Sequence, residues 1–170
     1  ADGSPDPMFG VAGKLKPSDL GTVMRTRTLP DGKILLVGGS GTTLQVKRLN
    51  ADGSTDIDFG VLGVSSAVVA GPALSLQIQT DGAISLAGNV NTGAANNVDF
   101  SVTRLTGSGA LDSTFNGSGR VTTAFTGTYY NATNAVVELQ DKRVVGGGYM
   151  SNGQSTDFAL YLLKRDGKHE

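Results

Sequence analysis

The side chains in this sequence that can do chemistry are few. The chain has no cysteine, which removes disulfides, zinc–thiolate centres and thiol nucleophiles. The one histidine is His169, in the final residues, and no Ser-His-Asp constellation is expected around it. Asp52, Asp56 and Asp58 lie close enough together to suggest a calcium loop, which takes about six to eight oxygens from a D-x-D-x-D-G-like run. That run is incomplete here. The same aspartates suit turns, where the carboxylate accepts hydrogen bonds from backbone N–H groups two or three residues on. The runs Gly38-Gly39-Ser40-Gly41 and Gly146-Gly147-Gly148 lack the G-K-[ST] of a phosphate loop. Neither catalytic residues, nor a metal, nor a cofactor is therefore expected. What remains are neutral groups suited to recognition: Tyr129, Tyr130, Asn131, Asn91, Asn96, Asn97, Asn152 and Gln154. Tyr, Asn and Gln stack and hydrogen-bond adaptably, as against a glycan or a protein.

The elements that position these groups come from a repeat. The motif D-x-x-F-[GN]-x-x-G occurs as Asp6-Phe9-Gly10-Gly13, Asp56-Phe59-Gly60-Gly63 and Asp112-Phe115-Asn116-Gly119, with the aspartates 50 and 56 residues apart. A second anchor follows in each copy: Asp31-Gly32 with Gly38, Asp81-Gly82 with Gly88, and Asp141-Lys142 with Gly148. A third is an alternating apolar end: Leu44-Val46-Arg48-Leu49, Phe100-Val102-Arg104-Leu105 and Phe158-Leu160-Leu162-Leu163. Three anchors in one order define three tandem copies, 1–50, 51–106 and 107–164. The tail 165–170 resembles the start of a further repeat.

Each copy reads as four short strands. One follows the last glycine of the first motif, clearest at 120–125. The next is 73–79, where Leu74, Leu76 and Ile78 alternate with Ser75, Gln77 and Gln79 in the period of two of a half-buried strand. The third is 33–37 and its equivalents, and the fourth is 100–105 and its equivalents. Asp-Gly between the second and third strands is a strong hairpin signal, because that turn needs positive φ. Lys142 in place of glycine predicts a different turn in copy three. Twenty-five glycines in 170 residues, about twice the average of ~7%, fit an all-β chain rich in tight turns. No sustained 3.6-residue period argues for helices. The expected fold class is all-β: β-propeller blades, one four-stranded antiparallel repeat per copy.

The run R-L-N-A-D-G-S-x-D-x-x-F-G from Arg48 to Gly60, followed by Q-x-D-G from Gln79 to Gly82, resembles the delta-sixty repeat of bacterial surface and secreted proteins. The resemblance implies a kelch-like β-propeller and an extracellular or cell-surface location. It departs in copy three, at Gly107-Ser-Gly-Ala and at Lys142. It brings no established catalytic residues, so none are carried over.

Net charge is −1, so no footprint for nucleic acid is expected. No apolar run approaches the ~18 residues of a membrane span, so no membrane insertion is expected. Asp6, Phe9, Gly13, Asp56, Phe59, Gly63, Asp112, Phe115, Gly119, Asp31, Gly32, Asp81 and Gly82 read as structural, the phenylalanines plugging the gap between neighbouring blades. Length differences fall at the opposite end from these constant turns, at 126–133, 89–99 and 149–157. Variation confined to one face of a repeat protein marks a binding face. Three blades are fewer than the about four to eight of a closed propeller, and an open wedge is expected to leave two apolar faces uncovered. The expected partners are a second copy in a homo-oligomer or filament, further propeller repeats, or a protein or glycan ligand. The expected function is non-enzymatic binding or adhesion through the long-loop face. The alternatives are a self-assembling surface or filament protein and, least favoured, a propeller enzyme acting on glycosides.

Overall fold

The computed structural model describes residues 2–17, 19–40, 43–65, 73–92, 98–125 and 130–169. Among them are eleven strands and no helix. The first sheet holds β1 (Thr22–Thr28), β2 (Ile34–Ser40), β3 (Thr43–Leu49) and β4 (Val64–Ser65), in that order. The second blade holds β5 (Ala73–Ile78), β6 (Ile84–Asn91), β7 (Val98–Leu105) and β8 (Arg120–Thr123), each antiparallel to the next. The third holds β9 (Tyr130–Glu138), β10 (Val144–Ser151) and β11 (Thr156–Leu163). A single parallel bridge, Val98 to Tyr130, joins the second and third blades into one formal sheet.

The blades run out of phase with the sequence copies. The strand that opens a copy pairs with the last strand of the copy before it. Val46 and Lys47 of β3 pair with Ser65 and Val64, and β8 pairs with β7 from Thr103↔Arg120 to Phe100↔Thr123. Each of the first two blades therefore takes its outer strand from the following copy. Periodicity counts the repeats, but it does not tell which neighbour a strand will pair with.

The glycines of the second anchor have a local cause. The innermost strand of every blade carries a β-bulge opposite them. The register slips between Val23 and Arg25 beside Gly38, between Ala73 and Ser75 beside Gly88, and beside Gly148 on β9. A bulge places one extra residue against the partner strand and turns the side chains that follow to the other face. At Gly38 a Cβ would stand 2.5 Å from the Thr22 carbonyl oxygen, so only glycine lets the bulged backbone approach.

The turn between the first two strands of each blade is the same in all three. The amides of Gly32, Gly82 and Lys142 donate to the carbonyls of Leu29, Gln79 and Leu139 at 2.9–3.0 Å. The φ angles are 82°, 85° and 72°. The different turn expected from Lys142 is thus corrected: lysine adopts the left-handed conformation that glycine adopts elsewhere. Its ammonium is tied to Glu138 at the end of β9 in its own blade and to Thr80 and Asp81 of the second blade's turn. Those contacts offset the ~1 kcal/mol or more that a side chain costs at positive φ.

Two clusters of apolar side chains lie between blades. Leu35, Val37, Leu44 and Val46 of the first blade pack with Leu76, Ile84, Leu86 and Leu105 of the second. Ala87, Phe100 and Val102 of the second pack with Val136, Val144, Ala159, Tyr161 and Leu163 of the third. Alternation puts each set on one face of its sheet. Each blade thus has a forward face, turned toward the blade after it in sequence, and a backward face, turned toward the blade before. In the first blade the backward residues Ile34, Leu36 and Leu49 are covered by Leu20, which is fully buried. Lys47 beside them is buried and paired with Asp19. One of the two open faces expected from the sequence is therefore capped by the segment leading into β1.

Candidate binding face and inter-blade latches

At the constant-turn end, three residues of one motif fasten neighbouring copies. Phe59 and Phe115 are fully buried in the two inter-blade clusters, and Phe9 is half-buried. Each ring sits under a glycine of the next copy's A-D-G-S-type turn. A Cβ at Gly53, Gly109 or Gly167 would come within 2.8–3.0 Å of Phe9, Phe59 or Phe115 respectively. The amide after each ring donates to that same turn: Gly10 to Asp52, Gly60 to Ser108 and Asn116 to Asp166, at 2.6–2.9 Å.

Arg48 and Arg104 lock this arrangement. Their guanidinium groups lie 4.7 and 4.4 Å from the ring centres of Phe59 and Phe115. They pair through Nε with Asp56 and Asp112 at 2.6 and 2.7 Å. A further nitrogen of each donates to the carbonyl of Gly107 or Arg165 in the copy beyond. The other carboxylate oxygen accepts from the backbone two residues on, Asp58 or Thr114, and Asp6 does the same with Met8. Asp52 meanwhile holds Ser54, so Asp52 and Asp56 of the calcium-like run serve separate structural partners. Among the described residues no three acidic or histidine side chains converge as a metal site would require.

The clefts open at this end too. One is lined by Arg104, Thr114, Lys164, Arg165 and Asp166, another by residues including Asp58, Val61, Ser108 and Leu111. Arg104 is no free anion receptor there, since Asp112, Thr114 and the Arg165 carbonyl occupy its nitrogens.

These pairs set a pH dependence. The ammonium of Lys33, hydrogen-bonded at 2.7 Å, holds the Asp56 carboxyl below its ordinary value against the opposing effect of burial, with Arg48 assisting. At Asp112 burial pushes upward, but Thr114 and Arg104 outweigh it and the net shift is also downward. The folded chain thus binds these protons more weakly than the unfolded chain. Stability is complete above the ordinary carboxylate value of 3.8 and drains as pH falls through the depressed folded values. Urea midpoints measured from pH 6 downward should fall in that acid window, and Asp56→Asn should flatten the fall while lowering the plateau.

At the other end, Tyr130, Asn131 and Asn91 lie on strands rather than in loops. The longer copies spend part of their extra residues on lengthening β6, β7, β10 and β11 to eight residues each, against seven in β2 and β3. Asn131 is fully buried and donates to the buried Asp99 carboxylate at 3.0 Å. Asn152 is spent within its own hairpin, where its side-chain oxygen accepts from Gln154 and Ser155. Gln154 is exposed in that hairpin. Tyr129, Asn96 and Asn97 lie outside the described residues. Of the five described residues, Asn91 and Tyr130 face Val98 from either side, while Asn131 and Asn152 are engaged inside the fold. Tyr130 alone among those described joins a larger surface, its ring stacked on Tyr149 with centroids 6.0 Å apart.

That surface is the forward face of the third blade. Tyr149 pairs with Phe158, Gly147 with Leu160, and Val145 with Leu162 and Val137. Phe158, Leu160 and Val137 are 83%, 64% and 48% exposed. The register makes Phe158 and Leu160 the equivalents of Leu44 and Val46 and of Phe100 and Val102, all buried beneath the next blade. The alternating apolar pattern of 158–163 is legible in the sequence, and this face is the second of the two expected to be open there.

A family model described as "Domain of unknown function (DUF5122) beta-propeller" matches residues 29–59 and 79–115. A search of curated proteins returns no match. Among solved structures, a GH43 β-1,3-galactosidase with galactodeoxynojirimycin is similar at 12% identity and a TM-score of 0.43, over 85% of this chain and 42% of that one. This chain therefore spans less than half the length of that protein. Both family-matched stretches start two residues before the aspartate of a D-G turn, cross two strands and end on a latch phenylalanine: the chain is built of antiparallel β-propeller blades.

Proposed function

We propose that this chain is a non-enzymatic binding module that recognises protein through the forward face of its third blade. The observation that carries this reading is the exposed set Tyr130, Val137, Phe158 and Leu160, with Phe158 83% exposed and Tyr130 stacked on Tyr149. Contiguous exposed apolar surface of this kind marks an interaction site, and Tyr and Phe are the residues enriched in interface cores. A glycan reading loses ground because Asn131 and Asn152, which would supply its hydrogen bonds, are engaged inside the fold. The finer assignment to the delta-sixty repeat rests on Arg48–Gly60 and Gln79–Gly82, and that resemblance is also what supports a cell-surface location.

The test is a glycan array together with a panel of nitrophenyl glycosides, run on the wild type and on Tyr130→Ala and Tyr149→Ala. No glycan bound above background and no hydrolysis are expected. A glycan held by the wild type and lost in both variants would replace the protein reading with a sugar-binding one, and turnover would overturn the non-enzymatic one.

A further inference from the structure

A buried polar junction joins the second and third blades at the end opposite the latches, beside the bridge from Val98 to Tyr130. Its centre is Asp99 of β7, 4% exposed. The carboxylate accepts from the Asn131 amide of β9 at 3.0 Å and from the Thr92 hydroxyl at 3.3 Å. Neither donor carries a charge. Asp56 and Glu138, whose side chains are buried as deeply, each have a cation from the chain: Lys33 and Arg48 for the first, Lys142 for the second. Asp99 has none among the described residues, and the segments outside them contain no Lys, Arg or His. A buried charge without a counter-charge is costly, and such groups are met by an ion pair or a metal.

Asn131 supplies a second, independent sign. It is fully buried, and its side-chain oxygen has no hydrogen-bond partner. The amide cannot be turned round to satisfy that oxygen, because its nitrogen is the group that must face the carboxylate. Asp99 and Asn131 therefore present, side by side, a negative charge with no cation and an acceptor with no donor.

We infer that this junction binds one alkali metal cation, sodium or potassium, held by the Asp99 carboxylate of one blade and the Asn131 amide oxygen of the next, with water completing the shell. The charge to be balanced is one, so a monovalent ion leaves the site neutral. Divalent centres draw on several carboxylates, and no three acidic or histidine side chains converge among the described residues. Thr92 at the rim is exposed, which gives the ion a way in from solvent. The Thr133 amide, donating to Asn89 at 2.8 Å, sets β9 against β6 and so holds the ligands of the two blades in place. The ion then ties the blades at this end as Arg104 does at the other.

Urea denaturation of the intact chain in sodium, potassium and choline chloride at equal ionic strength tests the inference. Choline cannot shed its methyl groups to take oxygen ligands. In at least one alkali salt the midpoint should stand above that in choline by about 0.5 M, rising with the logarithm of salt concentration as single-site linkage requires. Asp99→Asn should remove the difference. Asp157→Asn should leave it intact, because Asp157 has the same register position on β11 but is exposed. Thr92→Ala keeps the test open if Asp99→Asn does not fold: at the exposed rim it should fold, and it should raise severalfold the salt concentration that gives half the gain. Equal midpoints in all three salts would mean that water alone meets Asn131, or that Asp99 is protonated in the fold, and either overturns the inference. A gain that survives Asp99→Asn, or that Thr92→Ala leaves unchanged, overturns it as well.

Discussion

Replacing Phe115 with alanine is expected to lower the unfolding free energy by about 3–5 kcal/mol, the cost of emptying a fully buried aromatic site that cannot collapse. Collapse is resisted on every side. Val121 and Leu163 belong to the same cluster, the Gly167 turn lies over the ring, and the Arg104 guanidinium lies 4.4 Å from its centre. Domains of this size are stable by roughly 5–15 kcal/mol, so the loss is a large fraction of the total. Urea denaturation followed by circular dichroism measures it. Phe9→Ala is the internal comparison: the same motif, but half-buried and with no arginine over it among the described residues, so the loss should be less than half as great. Equal losses at the two sites would mean that the ring's value lies in its own loop and not in joining blades.

Arg104→Ala is expected to cost about 3 kcal/mol or more, because it strips a nearly buried carboxylate of its cation. Asp112 would keep Thr114 but lose the 2.7 Å contact at Nε. The Arg165 carbonyl would lose a donor, and Phe115 would lose a cation–π contact of about 0.5–2 kcal/mol. Arg104→Lys should recover only part, since an ammonium cannot serve Asp112, Thr114 and the Arg165 carbonyl in one plane while lying flat on the ring. A double-mutant cycle with Phe115→Ala separates the shared part. The two losses should fall short of additive by about 0.5–3 kcal/mol, as for residues in direct contact. Strict additivity would contradict a single latch.

Much of this was legible in the sequence for identifiable reasons. The Asp-Gly pairs announced their turns because few residues tolerate positive φ. The alternation of Leu74, Leu76 and Ile78 announced β5 because one face of a strand must be dry. The D-x-x-F motif announced a shared structural role because it recurred with its spacing intact. Other features were hidden. Lys142 looked like a break in the pattern, because the contacts that hold it at positive φ come from another blade. Asn131 looked like a loop side chain, because nothing in the sequence locates the bulge or the strand extension that turns it inward. Arg48 and Arg104 suggest a structural ion pair from their place in a strand; the partner is the motif aspartate eight residues on in each copy, a fixed spacing across a turn.

The offset between copy and blade has a mechanical consequence. Because β4 and β8 belong to the copy after the sheet they complete, a chain pulled from its two ends does not load one blade at a time. Tension at a copy boundary must peel the borrowed strand from its neighbour's sheet and draw the latch ring from beneath the next turn together. Extension should therefore proceed in steps longer than a single copy, each ended by a shared strand letting go, so that successive copies behave as links of a chain rather than beads on a string.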